Sequence, residues 1–198
     1  MQYTKSSLNH GYANQTLSID VGTGEILVNK LDPQVRDFFI GGRGLGLYLL
    51  YQLITPTTSA YDPENPLILS PGPLGGIPQF PGTSKCMAIS LSPITHIAGV
   101  SNFGGHFGAY LKYAGFDTLE ITGKAQNDSM IIIDSFKGEI TLTPSSADDQ
   151  VFELEKQIID RFLAQGYGKK DLVFLTTGLG AAGTTYGCIN RKTRYFFP

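Results

Sequence analysis

The sequence predicts an α+β fold built mainly from antiparallel sheets. Two observations carry that reading. Roughly eight strand-like and four helix-like segments follow one another without the regular alternation a parallel α/β sheet requires. Several neighbouring strand segments are also separated by short turn-forming stretches, the spacing of hairpins.

The elements run as follows. Tyr12–Asp20 alternates apolar and polar residues, and Glu25–Leu31 does so less strictly. Val21-Gly22-Thr23-Gly24 between them is turn chemistry, so the pair reads as a hairpin. Asp32-Pro33 predicts a helix start, an acidic cap followed by proline at the first helical position, and Gly41-Gly42 predicts its stop. Leu45–Ile54 is apolar on nearly every face and reads as a buried helix. The turn Asp62-Pro63-Glu64-Asn65-Pro66 feeds a short strand, Leu67–Ser70. A proline- and glycine-rich loop, Pro71–Gly82, leads to a strand at Lys85–Ser92. Ser101–Gly105 reads as a glycine-rich loop, and His106–Ala114 as a helix with Gly115 just past its end. Thr118–Thr122, Met130–Asp134 and Glu139–Thr143 read as three strands. Asp148–Ala164 carries the strongest helical pattern, with Val151, Leu154, Ile158 and Phe162 on one stripe and Gly166 and Gly168 beyond it. Leu172–Thr176 predicts a last strand before a glycine-rich tail.

Composition narrows the class. A chain of 198 residues with 41% hydrophobic content can bury a core, and it is read as a single domain over 1–198. The net charge of −2 offers no basic surplus for nucleic acid or an anionic membrane. The two cysteines, Cys86 and Cys188, form no CxxC pair, so they assemble neither a zinc site nor an iron–sulfur cluster and read as free thiols. Met1–Asn14 is polar and no apolar run reaches a membrane span, so the expectation is cytoplasmic. The tail ends on Tyr195-Phe196-Phe197-Pro198, an apolar ending of the kind that usually meets a partner surface.

Glycine is in excess, 24 residues where ordinary usage gives about 14. One cluster stands out: Asn102-Phe103-Gly104-Gly105-His106, at the start of a predicted helix. Two residues without side chains beside free backbone N–H groups can cradle a phosphate or a polar ring. They equally make a tight turn into a helix. Lys85 is a second candidate, a cation after a flexible loop that can meet a phosphate or simply face solvent. Gly41–Gly46 with Arg43 is either an anion cradle or a hinge between helices. Gly178–Gly183 matches the GxGxxG dinucleotide fingerprint, but Thr184–Pro198 contains no acidic residue and is a poor helix, against a βαβ context. Of the histidines, His10, His96 and His106, only the last adjoins a candidate loop. No catalytic set is complete in this chain.

Taken together, the segments resemble one family, the tungsten-dependent aldehyde:ferredoxin oxidoreductases and their relatives. The resemblance rests on Leu17–Gly24, Ile40–Gly46, Pro63–Ile68, Gly72–Gly76 and Ser90–Pro93. The strongest blocks are Ser101–Gly108, Leu111–Asp117 and Ile121–Ala125, all in the family's order. It implies the family's N-terminal domain, two β-sheet halves that form a base for a tungsten (or molybdenum) bis-molybdopterin whose phosphates a magnesium ion bridges. It implies that Asn102 reaches cofactor and magnesium partly through its backbone carbonyl, and that Lys85, Phe103, Gly104, Gly105 and His106 lie at the cofactor. Lys85 stands where relatives carry arginine, which loses the forked hydrogen bonding of a guanidinium. The chain stops or diverges before the second arginine- and glycine-rich loop. The resemblance further implies that the [4Fe–4S] cluster belongs to the complete enzyme, in further domains or a partner subunit bearing the cluster cysteines. Electrons from aldehyde oxidation would leave through that cluster to ferredoxin. On this reading the chain alone is inactive. Two alternatives stand beside it: a non-catalytic binding module that keeps the fold, and a dinucleotide-binding domain using Gly178–Gly183.

Overall fold

The computed structural model describes residues 1–145, 150–177, 184 and 190–191. The chain divides into two compact units, Met1–Pro144 and Ser145–Pro198. The first unit holds a six-stranded sheet and three helices. In chain order these are β1 (Gln15–Asp20), β2 (Ile26–Lys30), α1 (Pro33–Phe39), α2 (Gly42–Leu53), β3 (Leu67–Pro71), β4 (Cys86–Leu91), β5 (Ala98–Phe103), α3 (Phe107–Tyr113) and β6 (Thr118–Thr122). A separate hairpin, β7 (Ser129–Asp134) with β8 (Glu139–Pro144), completes it.

The sheet order is β2-β1-β6-β3-β4-β5. Its pairs are antiparallel except β1 with β6, which run parallel over Thr16–Asp20 and Thr118–Thr122. The predicted α+β class with mainly antiparallel pairing is therefore the observed one. The predicted hairpin is β1–β2, turned by Asp20, whose carboxylate accepts from the N–H groups of Gly22 and Thr23 at 2.8 and 3.0 Å. Asp32 caps α1 by accepting from the Gln34 N–H at 2.8 Å, with Pro33 behind it as expected.

Two predicted elements need correction. Ser101–Gly105 is not a loop throughout: residues Ala98–Phe103 form an edge strand, β5, paired with β4 from Leu91↔Ala98 to Cys86↔Phe103. Backbone pairing to β4 overrides the weak strand propensity of Ala98-Gly99-Val100-Ser101-Asn102. The second helix starts at Gly42 rather than Leu45, so three glycines, at 42, 44 and 46, sit inside a helix. Packing supplies the reason. A Cβ at Gly46 would lie 2.1 Å from Ile89 Cδ1, so only glycine lets α2 approach the sheet this closely.

That approach builds the core. Leu50 of α2, Ile68 of β3 and Ile89 of β4 are buried together, with Leu47, Met87 and Val100 against them. Pleating sends Pro71 and Cys86 to the other face, where α3 lies. The hairpin is tied to the N-terminal segment: Met1 bonds with Ile140, the Tyr3 N–H donates to Gly138 O, and the Tyr3 hydroxyl donates to Ala114 O.

The second unit contains α4 (Val151–Ala164), a 3-10 turn at Lys169–Asp171, and a short antiparallel pair, β9 (Leu175–Thr176) with β10 (Asn190–Arg191). Leu154 and Ile158, one turn apart, are its buried helical residues. The predicted strand at Leu172–Thr176 is reduced to its last two residues. Asp148, Gly178–Gly183, Cys188 and Tyr195–Pro198 lie outside the described residues. Among the described residues, no helix is long and apolar enough to cross a membrane.

Candidate functional site

One end of the sheet collects the residues that sequence reading singled out. There β3 ends at Pro71, β4 begins at Cys86 and β5 ends at Phe103, the three residues lying across the strands from one another. Lys85 immediately precedes β4, and Gly104 immediately follows β5. Antiparallel pairing therefore brings them side by side. The nearest atoms to a Cβ built on Gly104 are Cδ, Cε and Nζ of Lys85, each at 3.8 Å. The exposed ammonium thus lies along a stretch of main chain that has no side chain of its own.

The next residue makes the turn. Gly105 has φ +92°, a conformation that side-chain-bearing residues rarely adopt. It swings the chain from β5 into α3, with His106 as an exposed N-cap residue that makes no side-chain capping bond. Asn102 sits across from Met87 and is exposed. Phe103 points to the opposite face and is half-buried, its ring 5.9 Å from that of Phe107. All six predicted residues, Lys85, Asn102, Phe103, Gly104, Gly105 and His106, thus cluster at one sheet corner.

The neighbouring walls come from two other glycine-rich segments. A Cβ at Gly41 would lie 3.3 Å from Pro71 O, and one at Gly42 3.8 Å from Met87 Cγ, so the start of α2 abuts the same end of the sheet. Arg43, in its first turn, is exposed. The loop Gly76–Ser84 arches over α3 and encloses an open cleft of about 250 Å³ with His106, Ala109, Tyr110 and Tyr113. The Tyr113 hydroxyl donates to Gly76 O and holds the loop down. His96 lies in the β4–β5 turn, at the other end of those strands, and His10 in the Asn9–Tyr12 turn. Neither joins the cluster.

The chemistry available is that of anion and heterocycle binding. The corner offers a cation, uncovered backbone and an amide side chain. Among the described residues, no group of three or more His, Cys, Asp or Glu side chains could hold a metal ion. Cys86, beneath the corner, is fully buried, and burial pushes its thiol up to about 12. Sequence reading missed one feature behind the site. Lys112 and Asp117 form an ion pair in which both residues are almost wholly buried. The sequence signal was a lysine between Leu111 and Tyr113, with an aspartate five positions on.

Comparison with known proteins gives the context. The model of the aldehyde ferredoxin oxidoreductase N-terminal domain matches residues 16–196. The tungsten-containing aldehyde ferredoxin oxidoreductase of Pyrococcus furiosus is 36% identical over 124 residues, 63% of this chain and 20% of the relative. That of Pyrococcus abyssi is 33% identical over 148 residues, 75% of this chain and 24% of its own. The WOR-like subunit of the aliphatic sulfonate oxidoreductase of Pyrococcus furiosus is 32% identical over 134 residues, covering 66% and 21%. Among solved structures, the active site complex BamBC of benzoyl coenzyme A reductase, in complex with 1,5 dienoyl-CoA, superposes with a TM-score of 0.81. It is 23% identical and covers 96% of this chain and 27% of that one, a likeness of fold. The chain spans about a fifth to a quarter of the length of these curated relatives. It belongs to the aldehyde ferredoxin oxidoreductase family, through that family's N-terminal domain.

Proposed function

We propose, with that family membership as the premise, that the corner formed by Lys85 and Asn102–His106 receives a pterin cofactor carrying tungsten or molybdenum. The chain would then serve an oxidoreductase that converts aldehydes to carboxylic acids. The observation that supports this most is the lysine ammonium lying along Gly104, one residue before a glycine at positive φ. A phosphate needs a cation and bare N–H groups, and a flat heterocycle needs main chain it can approach without a Cβ between. Lys85 fits the need for a cation, and Gly104–Gly105 fit the need for main chain without a Cβ.

Each residue has a part in this reading. Lys85 supplies a point charge for a phosphate oxygen, where a guanidinium would supply a fork. Gly104 and Gly105 admit the ligand to the backbone. Asn102 would offer its backbone carbonyl and its amide side chain to the cofactor and its magnesium ion. Phe103, turned under the corner against Phe107, keeps the strand end in place. His106 forms the outer rim. When bound, the cofactor supplies the two-electron chemistry, with electrons passed through a cluster in other parts of the enzyme to ferredoxin. The aldehyde is unspecified, since a relative of similar identity carries an aliphatic sulfonate oxidoreductase name.

The test is purification of the chain from its own source without oxygen, with everything that accompanies it. Tungsten or molybdenum, a pterin released on acid oxidation and a cysteine-bearing partner or continuation support the reading. A metal-free, pterin-free, stable chain would instead leave a non-catalytic binding module. Lys85→Ala should lower the retained pterin about tenfold, the loss of one charge-assisted contact, and Lys85→Arg should restore most of it. Full retention in Lys85→Ala would remove the lysine from the site.

A further inference from the structure

We propose that Lys112 and Asp117 are positioning residues, a buried pair that fixes α3 and so sets the Gly104–Gly105 turn. The role assigned to that turn rests on the function proposed above. The geometry of the pair does not.

The turn hangs between two supports. One is β5, held to β4 by backbone pairing. The other is α3, only seven residues long, too short to hold itself by helix propensity. At Gly108 it packs closely on the sheet: a Cβ there would lie 3.2 Å from Pro71 Cβ and 3.4 Å from Cys86 Cβ. Small, smooth surfaces of this kind permit sliding. Lys112, in the last turn of α3, supplies direction. Its ammonium donates to Asp117 Oδ1 and lies 5.3 Å from the centre of the Tyr12 ring. Asp117 also accepts the N–H of Ala13 at 3.0 Å and that of Asn14 at 2.6 Å. Arg36, from α1, flanks Tyr12 at 5.3 Å and donates to Asn14 Oδ1 at 2.8 Å.

The pair therefore locks α3 to the chain just before β1 and just before β6, the two strands of the sheet that pair in parallel. Lys112 is 1% exposed and Asp117 2%. Burying two charges is no efficient route to stability, because an apolar pair of similar volume often does as well. What an ion pair whose carboxylate also accepts two backbone N–H groups adds is one preferred geometry. That geometry is transmitted over the two turns of α3 to His106.

The experiment is peptide-level hydrogen exchange on the full chain, with thermal unfolding measured in parallel. Lys112→Met/Asp117→Asn removes both charges at nearly constant volume. The amide keeps one acceptor for the two N–H groups of Ala13 and Asn14, so we expect the unfolding temperature to fall by a few degrees, while exchange over 103–113 rises about tenfold and far more than in β3 and β4. Tyr12→Leu, which keeps both charges, should loosen the same peptide by a smaller factor. Unchanged exchange over 103–113 in a folded double variant overturns the proposal. So does an equal rise across β1, β3 and β6, which marks general destabilisation. If the double variant does not fold, Tyr12→Leu decides on the same criterion. Pterin retention is read separately: a parent chain without pterin sinks the cofactor reading and leaves the exchange result standing.

Discussion

At the scale of single residues, the site is made of groups whose behaviour follows from where the backbone puts them. Cys86 faces α3 with no exposed surface, and burial raises its thiol to about 12 from an ordinary 9.0. The thiol therefore stays protonated through neutral pH, and alkylating reagents should leave it untouched in the native chain and modify it after unfolding. Rapid native alkylation of Cys86, read by peptide mass, would contradict this burial. The sign of the pH effect follows. Above pH 9 the unfolded chain loses that proton and the folded chain keeps it, so this thiol's contribution falls as pH rises toward 12. Much at this scale was legible beforehand. Glycine pairs and a lysine in an apolar context are visible as letters, and all six candidates meet at one corner. The Lys112–Asp117 pair had no assigned role, because a charge in a sequence is read as a solvated one until its burial is known.

At the scale of elements, packing decides where propensity is silent. The start of α2 was misplaced because glycine is a poor helix former, and Gly42, Gly44 and Gly46 read as a hinge. In the fold, Gly46 is the point at which α2 meets Ile89. Gly46→Ala pits two effects against each other. Helix propensity favours alanine by about 1 kcal/mol. A methyl group 2.1 Å from the Cδ1 of a fully buried isoleucine forces overpacking that costs about 1–3 kcal/mol. The second term wins, and urea unfolding should show a net loss of about 1 kcal/mol. Ile89→Val removes that very Cδ1, so the double variant should be more stable than the sum of the two singles by about 1 kcal/mol. Strict additivity would mean that α2 does not rest on Ile89. The edge strand β5 was missed for the converse reason. Its residues alternate weakly, and what makes them a strand is the partner, β4.

At the scale of the whole first unit, the sequence predicted the class and most elements but not how the hairpin is held. Nothing local announces that β1 and β6 pair in parallel across about a hundred residues, or that the first three residues reach Gly138 and Ile140. Such contacts are long-range, and pattern reading sees only neighbours. The β7–β8 hairpin cannot stand alone, since two strands are marginal in water. Tyr3 joins it to the rest of the unit. Its N–H donates to Gly138 O at 2.8 Å in the hairpin turn, its ring lies 5.1 Å from Phe116, and its hydroxyl donates to Ala114 O at 3.0 Å. Phe116 is fully buried beside Asp117, so Tyr3 couples the hairpin to the segment that also secures α3. Tyr3→Ala should cost about 2 kcal/mol, less than a fully buried aromatic because Tyr3 is only half-buried. The loss should be uneven. Hydrogen exchange in β7 and β8 should rise first, while β3, β4 and α2, whose core of Leu50, Ile68 and Ile89 does not include Tyr3, should keep their protection. Tyr3→Phe separates the parts: it keeps the ring and the backbone bond, loses one hydroxyl bond, and should cost about 1 kcal/mol. A uniform rise in exchange for Tyr3→Ala would show that hairpin and sheet open together, and that the N-terminal segment is an equal member of the core.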